Sequence, residues 1–140
     1  MRKIFCIIIL LAIVVLTGCN KWDCNGDLDG MWQMTEWRDK DGVVKATKQD
    51  MIFYSFQLQM ASFRKPGWDV RNASMKFNLE QIYIYEPVRY KGAGHDEILP
   101  PSELAPFGVP EDGIFLIQVL TGSEMMLKTN NQDILTFRKY

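Results

Sequence analysis

Apolar and polar positions alternate with a period of two over most of the chain, the pattern of half-buried strands rather than of helices. The longest alternating stretch covers residues 51–63. Ile52, Tyr54, Phe56, Leu58 and Met60 take one face and Ser55, Gln57 and Gln59 the other, before Lys65-Pro66-Gly67 marks a turn. Met75, Phe77 and Leu79 alternate with Lys76 and Asn78, and 82–85 is a short β-branched and aromatic run. Three closely spaced segments, 114–120, 124–128 and 134–139, close the chain. Thr121-Gly122-Ser123 and Thr129-Asn130-Asn131-Gln132 separate them and suit hairpin connections. Near the other end, 31–37 runs into Asp41-Gly42, and Val43-Val44 begins a return strand.

These segments make about eight strands, mostly in sequential hairpins, so the expected fold is all-β. An antiparallel up-and-down barrel would remove the exposed sheet edges, and an open sandwich is the alternative. With about eight strands the interior of a barrel is filled by side chains or holds one small ligand. The connection over 87–113 is rich in Pro and Gly. It holds one short helix candidate at 101–105, with Pro101 at its start and Pro106 as its stop. A connection of that length in a small domain is a lid, a binding loop or a disordered segment.

The first residues have a different character. Arg2 and Lys3 precede a nearly pure aliphatic stretch at 4–16, and Thr17-Gly18 supplies small residues before Cys19. This is the layout of a secretory signal peptide, and the apolar stretch falls short of the roughly 20 residues that span a bilayer. Leu16-Thr17-Gly18-Cys19 resembles the lipobox of bacterial lipoproteins. That resemblance implies removal of 1–18, lipidation of Cys19 and an anchor of acyl chains, each buried methylene contributing about 0.8 kcal/mol. Residues 19–29 are then a mildly acidic tether, and 30–140 form the barrel domain. Asn20 stands where Asp would resemble the inner-membrane retention signal of enteric bacteria. The expected location is therefore the outer membrane, on its periplasmic face or the cell surface.

Charge and cysteine content narrow the function classes. Two of the 16 basic side chains fall in the leader, leaving 14 against 17 acidic ones, a balance that gives no electrostatic reason to bind nucleic acid. With Cys6 discarded and Cys19 lipidated, Cys24 is left alone, an unpaired tether residue or a point of pairing with another chain. One such Cys and the single His95 cannot build a closed four-ligand zinc site, and no metal or other cofactor is expected. His95, Asp96 and Ser102 fall in the 87–113 connection without a nucleophile elbow, so no catalytic set is expected.

Asp29-Gly30-Met31-Trp32 resembles the Gly-x-Trp signature that opens the first strand of lipocalins and related calycin barrels. The terminal Leu135-Thr136-Phe137-Arg138-Lys139 is similar to the last strand of that family. With the lipobox and acidic tether, the chain is similar to the small lipocalin-like lipoproteins of the Bacteroidales, although it lacks a Thr-Asp-Tyr element between strands. The resemblance implies that a basic side chain of the last strand packs over Trp32 and closes the barrel base. Arg138 is the first candidate and Lys139 the second, such a contact contributing about 0.5–2 kcal/mol.

Two functional readings follow. The first is a non-enzymatic carrier of a small apolar or amphipathic ligand, with a one-ended cavity of a few hundred cubic ångströms. Its candidate lining is Trp32, Met34, Tyr54, Phe56, Met75, Phe77, Tyr83, Tyr85 and Phe137, the same residues that would otherwise be core. The second is an envelope interaction module that docks a protein partner through an apolar patch near Trp68 or Pro106-Phe107.

Overall fold

The structure, a computed structural model, describes residues 25–140. The expected leader, the lipidation site Cys19 and tether residues through Cys24 lie outside the described residues. Ten strands are present among them: β1 Gly30–Arg38, β2 Val44–Thr47, β3 Phe53–Gln57, β4 Met60–Arg64, β5 Arg71–Phe77, β6 Gln81–Tyr90, β7 Asp96–Ile98, β8 Ile114–Leu120, β9 Glu124–Thr129 and β10 Ile134–Lys139. Eight of them neighbour one another in the order β1-β3-β4-β5-β6-β8-β9-β10, and β10 pairs back with β1. The result is a closed antiparallel barrel, not an open sandwich, and closure abolishes the edges. Strand β2 takes over the pairing of β1 at Glu36–Arg38, beyond the part held by β3, and β7 pairs the far end of β6.

Alternation places one face of each strand inside. Along β3, Tyr54 and Phe56 are buried, and along β5, Arg71, Ala73 and Met75. Register then links inward residues into a row across neighbouring strands. Lys139 is opposite Trp32, Trp32 opposite Tyr54, Tyr54 opposite Phe63, and Phe63 opposite Arg71. Strands in a barrel tilt by about 35–45°, so such a row climbs along the axis as it crosses them. It begins with one cation and ends with another, three aromatic rings lying between.

Three readings of the sequence are corrected here. Residues 51–63 are a hairpin, β3 and β4, because Leu58 turns the chain in a left-handed conformation with φ 55°. Gln57 faces Met60 across that turn, so Met60 and Leu58 are exposed rather than inward. Leu79 sits in the next turn, where the Asn78 carboxamide oxygen accepts from the Glu80 and Gln81 N–H groups, and it is 85% exposed. Strand β6 runs on through Pro87 to Tyr90. A bulge against β5 accommodates the proline there, and the Pro87 carbonyl accepts from Leu99 of the returning chain.

The helix expected at 101–105 is a 3-10 segment, Pro101–Phe107, that includes Pro106 and ends at Gly108, whose N–H returns to the Ala105 carbonyl. It does not lie over the surface. Leu104, Phe107 and Val109 are buried in the same core as the barrel residues.

Candidate functional site

The two ends of the barrel are built differently. At the end where β1 begins, the short 3-10 turn Gly26–Leu28 seats Leu28 in the core, and its carbonyl accepts a hydrogen bond from the Trp32 indole at 2.8 Å. The Lys139 ammonium lies 4.2 Å from the centre of the Trp32 ring and donates to the Asp27 carbonyl at 2.9 Å and to the Asp29 carbonyl. Gly30 is required beneath it: its φ is 116°, and a Cβ there would come 3.3 Å from the Lys139 ammonium. The closure expected of Arg138 is thus made by Lys139. Lys139 is in register with Trp32 and in phase with the buried Leu135 and Phe137. Arg138 pairs with Gln33 on the outside and donates to its side-chain oxygen at 2.9 and 3.1 Å.

The middle of the barrel is packed with side chains. Of the nine expected lining residues, Trp32, Met34, Tyr54, Phe56, Met75 and Phe137 are buried together in one core, and Phe77 packs at its edge. Tyr54 is the hub, its ring 4.7 Å from those of Phe63 and Phe137 and 6.2 Å from those of Phe56 and Phe115. The expected standing cavity is therefore filled by the residues that were to line it. Tyr83 and Tyr85 do not belong to the interior at all. Ile82 and Ile84 face inward, and the two tyrosines stack on each other outside, 5.2 Å apart, with Lys76 over Tyr85. Four consecutive apolar residues fit either phase, so the sequence did not reveal which pair faces in.

The other end is closed by Pro101–Phe107. The Tyr54 hydroxyl, deep in the barrel, donates to the Phe107 carbonyl at 2.7 Å. Burial pushes the Tyr54 phenol well above its ordinary pKa, so the donating, neutral form is the one the fold holds. The Phe107 ring, buried and so no part of an exposed docking patch, is 6.2 Å from Phe63 and 6.1 Å from Trp68, which stands half-exposed at the rim. Every backbone–backbone hydrogen bond of the 101–109 stretch among the described residues is internal: Glu103 to Pro100, Gly108 to Ala105, Val109 to Leu104. Side chains alone tie the plug to the barrel. A cleft of about 320 Å³ runs beside it, bounded by Ile84, Pro87, Leu104 and Val109.

Beneath the plug sits a charged cluster that the sequence reading did not single out. Arg71 occupies an inward position of β5 and its side chain is 3% exposed. One of its terminal nitrogens donates to the Asp69 carbonyl at 2.9 Å and the other reaches Glu103 of the plug at 3.4 Å. Arg89 of β6 reaches the same Glu103 oxygen at 3.7 Å, Glu97 at 3.6 Å and Asp69 at 3.8 Å, and Lys91 meets Glu97 at 3.1 Å. Charge-assisted hydrogen bonds are normally about 2.7–2.9 Å, so Glu103 is held loosely by both guanidinium groups. The buried side-chain atoms without a hydrogen-bond partner among the described residues are Arg71 Nε, Arg89 Nε and Glu97 Oε2, all in this cluster. Arg71 is in phase with Ala73 and Met75, but that phase is visible only once β5 is known to begin at 71. His95 and Ser102 are exposed on the connection, and His95 closes a turn through its N–H to Gly92.

The profile of the lipocalin-like domain family matches residues 14–140, nearly the whole chain. The chain belongs to the lipocalin-like family. Its barrel resembles the crystal structure of a lipocalin-like protein from Bacteroides uniformis with a TM-score of 0.61 and 25% identity, over 82% of this chain and 100% of that one. It also resembles an uncharacterized protein from Bacteroides eggerthii (TM-score 0.56, 23% identity, 81% and 99% coverage). A protein from Burkholderia xenovorans solved by NMR shares the fold (TM-score 0.55, 18% identity, 81% and 83% coverage). None of the curated proteins matches. A lipocalin-like barrel is an architecture that encloses a small ligand where its interior leaves room. In this one the room is taken by an aromatic core and a plug.

Proposed function

We propose that this chain is a lipid-anchored, non-enzymatic binding protein of the bacterial envelope whose barrel admits a small apolar or amphipathic ligand when the Pro101–Phe107 plug withdraws. The observation that carries this reading is the seating of Leu104 and Phe107. Two apolar side chains, delivered by a segment outside the barrel wall, fill the end at which a ligand would enter. Withdrawing them breaks no strand pairing, because the plug makes no backbone–backbone hydrogen bond to a strand; its carbonyls meet the barrel only through the side chains of Tyr54, at Phe107, and Lys65, at Pro106. Segments held in that way open more readily than the sheet they cover. The lipobox-like Leu16-Thr17-Gly18-Cys19 supports an anchor at Cys19. Residues 25–28 lie at the Trp32 end of the barrel, so an anchor at Cys19 would join the chain to the end opposite the plug.

Native mass spectrometry of the protein from its own host, freed of its lipid, tests the reading: a retained small molecule is expected. An empty protein that also takes up no apolar probe would count against it. A second reading, docking to an envelope protein, is favoured by one observation. Met60 and Ile98 stand 53% and 83% exposed beside Val88, on an outer groove of about 640 Å³. Mild crosslinking in the envelope would then recover a stoichiometric partner.

A further inference from the structure

The charges under the plug carry the ligand's chemical class, an inference that rests on the binding reading above. Arg71, Arg89 and Lys91 face the carboxylates of Asp69, Glu97 and Glu103. Glu103 is the only one of the three carboxylates carried by the plug. When the plug leaves, the cluster keeps three cations and two anions, and Arg71 loses its carboxylate partner. A buried guanidinium without a counter-charge is strongly unfavourable. An uncharged ligand that displaced the plug would leave it in that state; an anion would not. Arg71 Nε has no hydrogen-bond partner among the described residues and Arg89 Nε has only the 3.8 Å ion pair with the exposed Asp69, so both supply donors for such an anion.

We propose that Glu103 is a built-in occupant of a two-arginine anion site, and that the ligand is a single-chain amphiphile whose carboxylate takes the place of Glu103. Its tail takes the volume vacated by Leu104 and Phe107, against Phe63 and Tyr54. The Glu103 contacts are long, at 3.4 and 3.7 Å, where a carboxylate free to settle would accept both forks closely. The occupant is thus strong enough to neutralise the site and weak enough to be exchanged.

The test uses the protein freed of its lipid, as in the native mass spectrometry above. Dodecanoate, dodecanol and acetate are titrated by calorimetry and by Trp68 fluorescence. Dodecanoate is expected to bind at least about tenfold more tightly than dodecanol, because only its head group neutralises the arginines. Acetate alone should give no measurable binding. Glu103→Gln should bind dodecanoate about tenfold more tightly again, since the competing carboxylate is gone. Equal affinity for dodecanol and dodecanoate overturns the head-group inference and leaves the binding reading standing. Failure of both to bind, to wild type and Glu103→Gln alike, overturns both. Should Glu103→Gln not fold, Arg89→Gln on the half-exposed arginine decides. Its preference for dodecanoate over dodecanol must fall at least about threefold, and an unchanged preference refutes the site.

Discussion

At the scale of single residues, two positions show how closely the chain is fitted. Gly113 has a φ of 71°, and its carbonyl accepts a hydrogen bond from the Ile84 N–H at 2.8 Å; a Cβ there would lie 1.9 Å from the Ile84 carbonyl oxygen. No rotamer relieves a clash with backbone, so the chain leading into β8 or β6 itself must move. Gly113→Ala is expected to lower unfolding free energy by about 3 kcal/mol, measured by urea denaturation, by strain and lost pairing together. Tyr54 makes a different prediction. The folded protein keeps the phenol proton to higher pH than the unfolded chain, whose tyrosines titrate near about 10. Its contribution to stability is therefore complete below pH ~10 and declines above it, by about 1.4 kcal/mol per pH unit, until Tyr54 itself ionises. Tyr54→Phe should remove that slope from alkaline unfolding curves while costing about 1–2 kcal/mol at neutral pH for the lost bond to Phe107.

At the scale of elements, the strands were largely legible and the plug was not. Alternation located 114–120, 124–128 and 134–139 to within a residue, because polar turns bracket each of them. The β3–β4 hairpin was missed because Gln57-Leu58-Gln59-Met60 carries the alternation straight through a turn with no Gly, Pro or Asn to mark it. Arg71 escaped for a related reason: a lone cation in front of Ala73 reads as a loop residue until the register with Phe63 is known. The Pro101–Phe107 segment was visible as a helix start, but nothing local says that its apolar residues enter a barrel. Phe107→Ala separates a plug from an ordinary core element. It should cost about 3–5 kcal/mol of stability, yet increase the uptake of an apolar fluorescent probe, the emptied volume lying at the barrel mouth. Lost stability with no gain in uptake would mean that Phe107 is core and nothing more.

At the scale of the whole molecule, closure by the β1–β10 pairing explains why a Gly-x-Trp at one end of the sequence and a basic strand at the other mark this fold. Trp32 and Lys139 meet at the seam, and Gly30 leaves space for the lysine. The pairing was foreseen with Arg138 ranked ahead of Lys139, and the order is reversed, since phase along the last strand, not side-chain type, decides which residue faces in. The anchor is a separate matter from the barrel. Cys19→Ser is expected to move the protein from the membrane fraction to the soluble one while leaving its thermal unfolding unchanged; membrane retention would refute lipid anchoring. The central claim, that the plug stands in the ligand's place, is tested most directly by amide hydrogen exchange with and without saturating dodecanoate. The account predicts that residues 101–109 exchange faster in the complex while β3 to β6 exchange more slowly. Slower exchange in both, or no change in the plug, would contradict it.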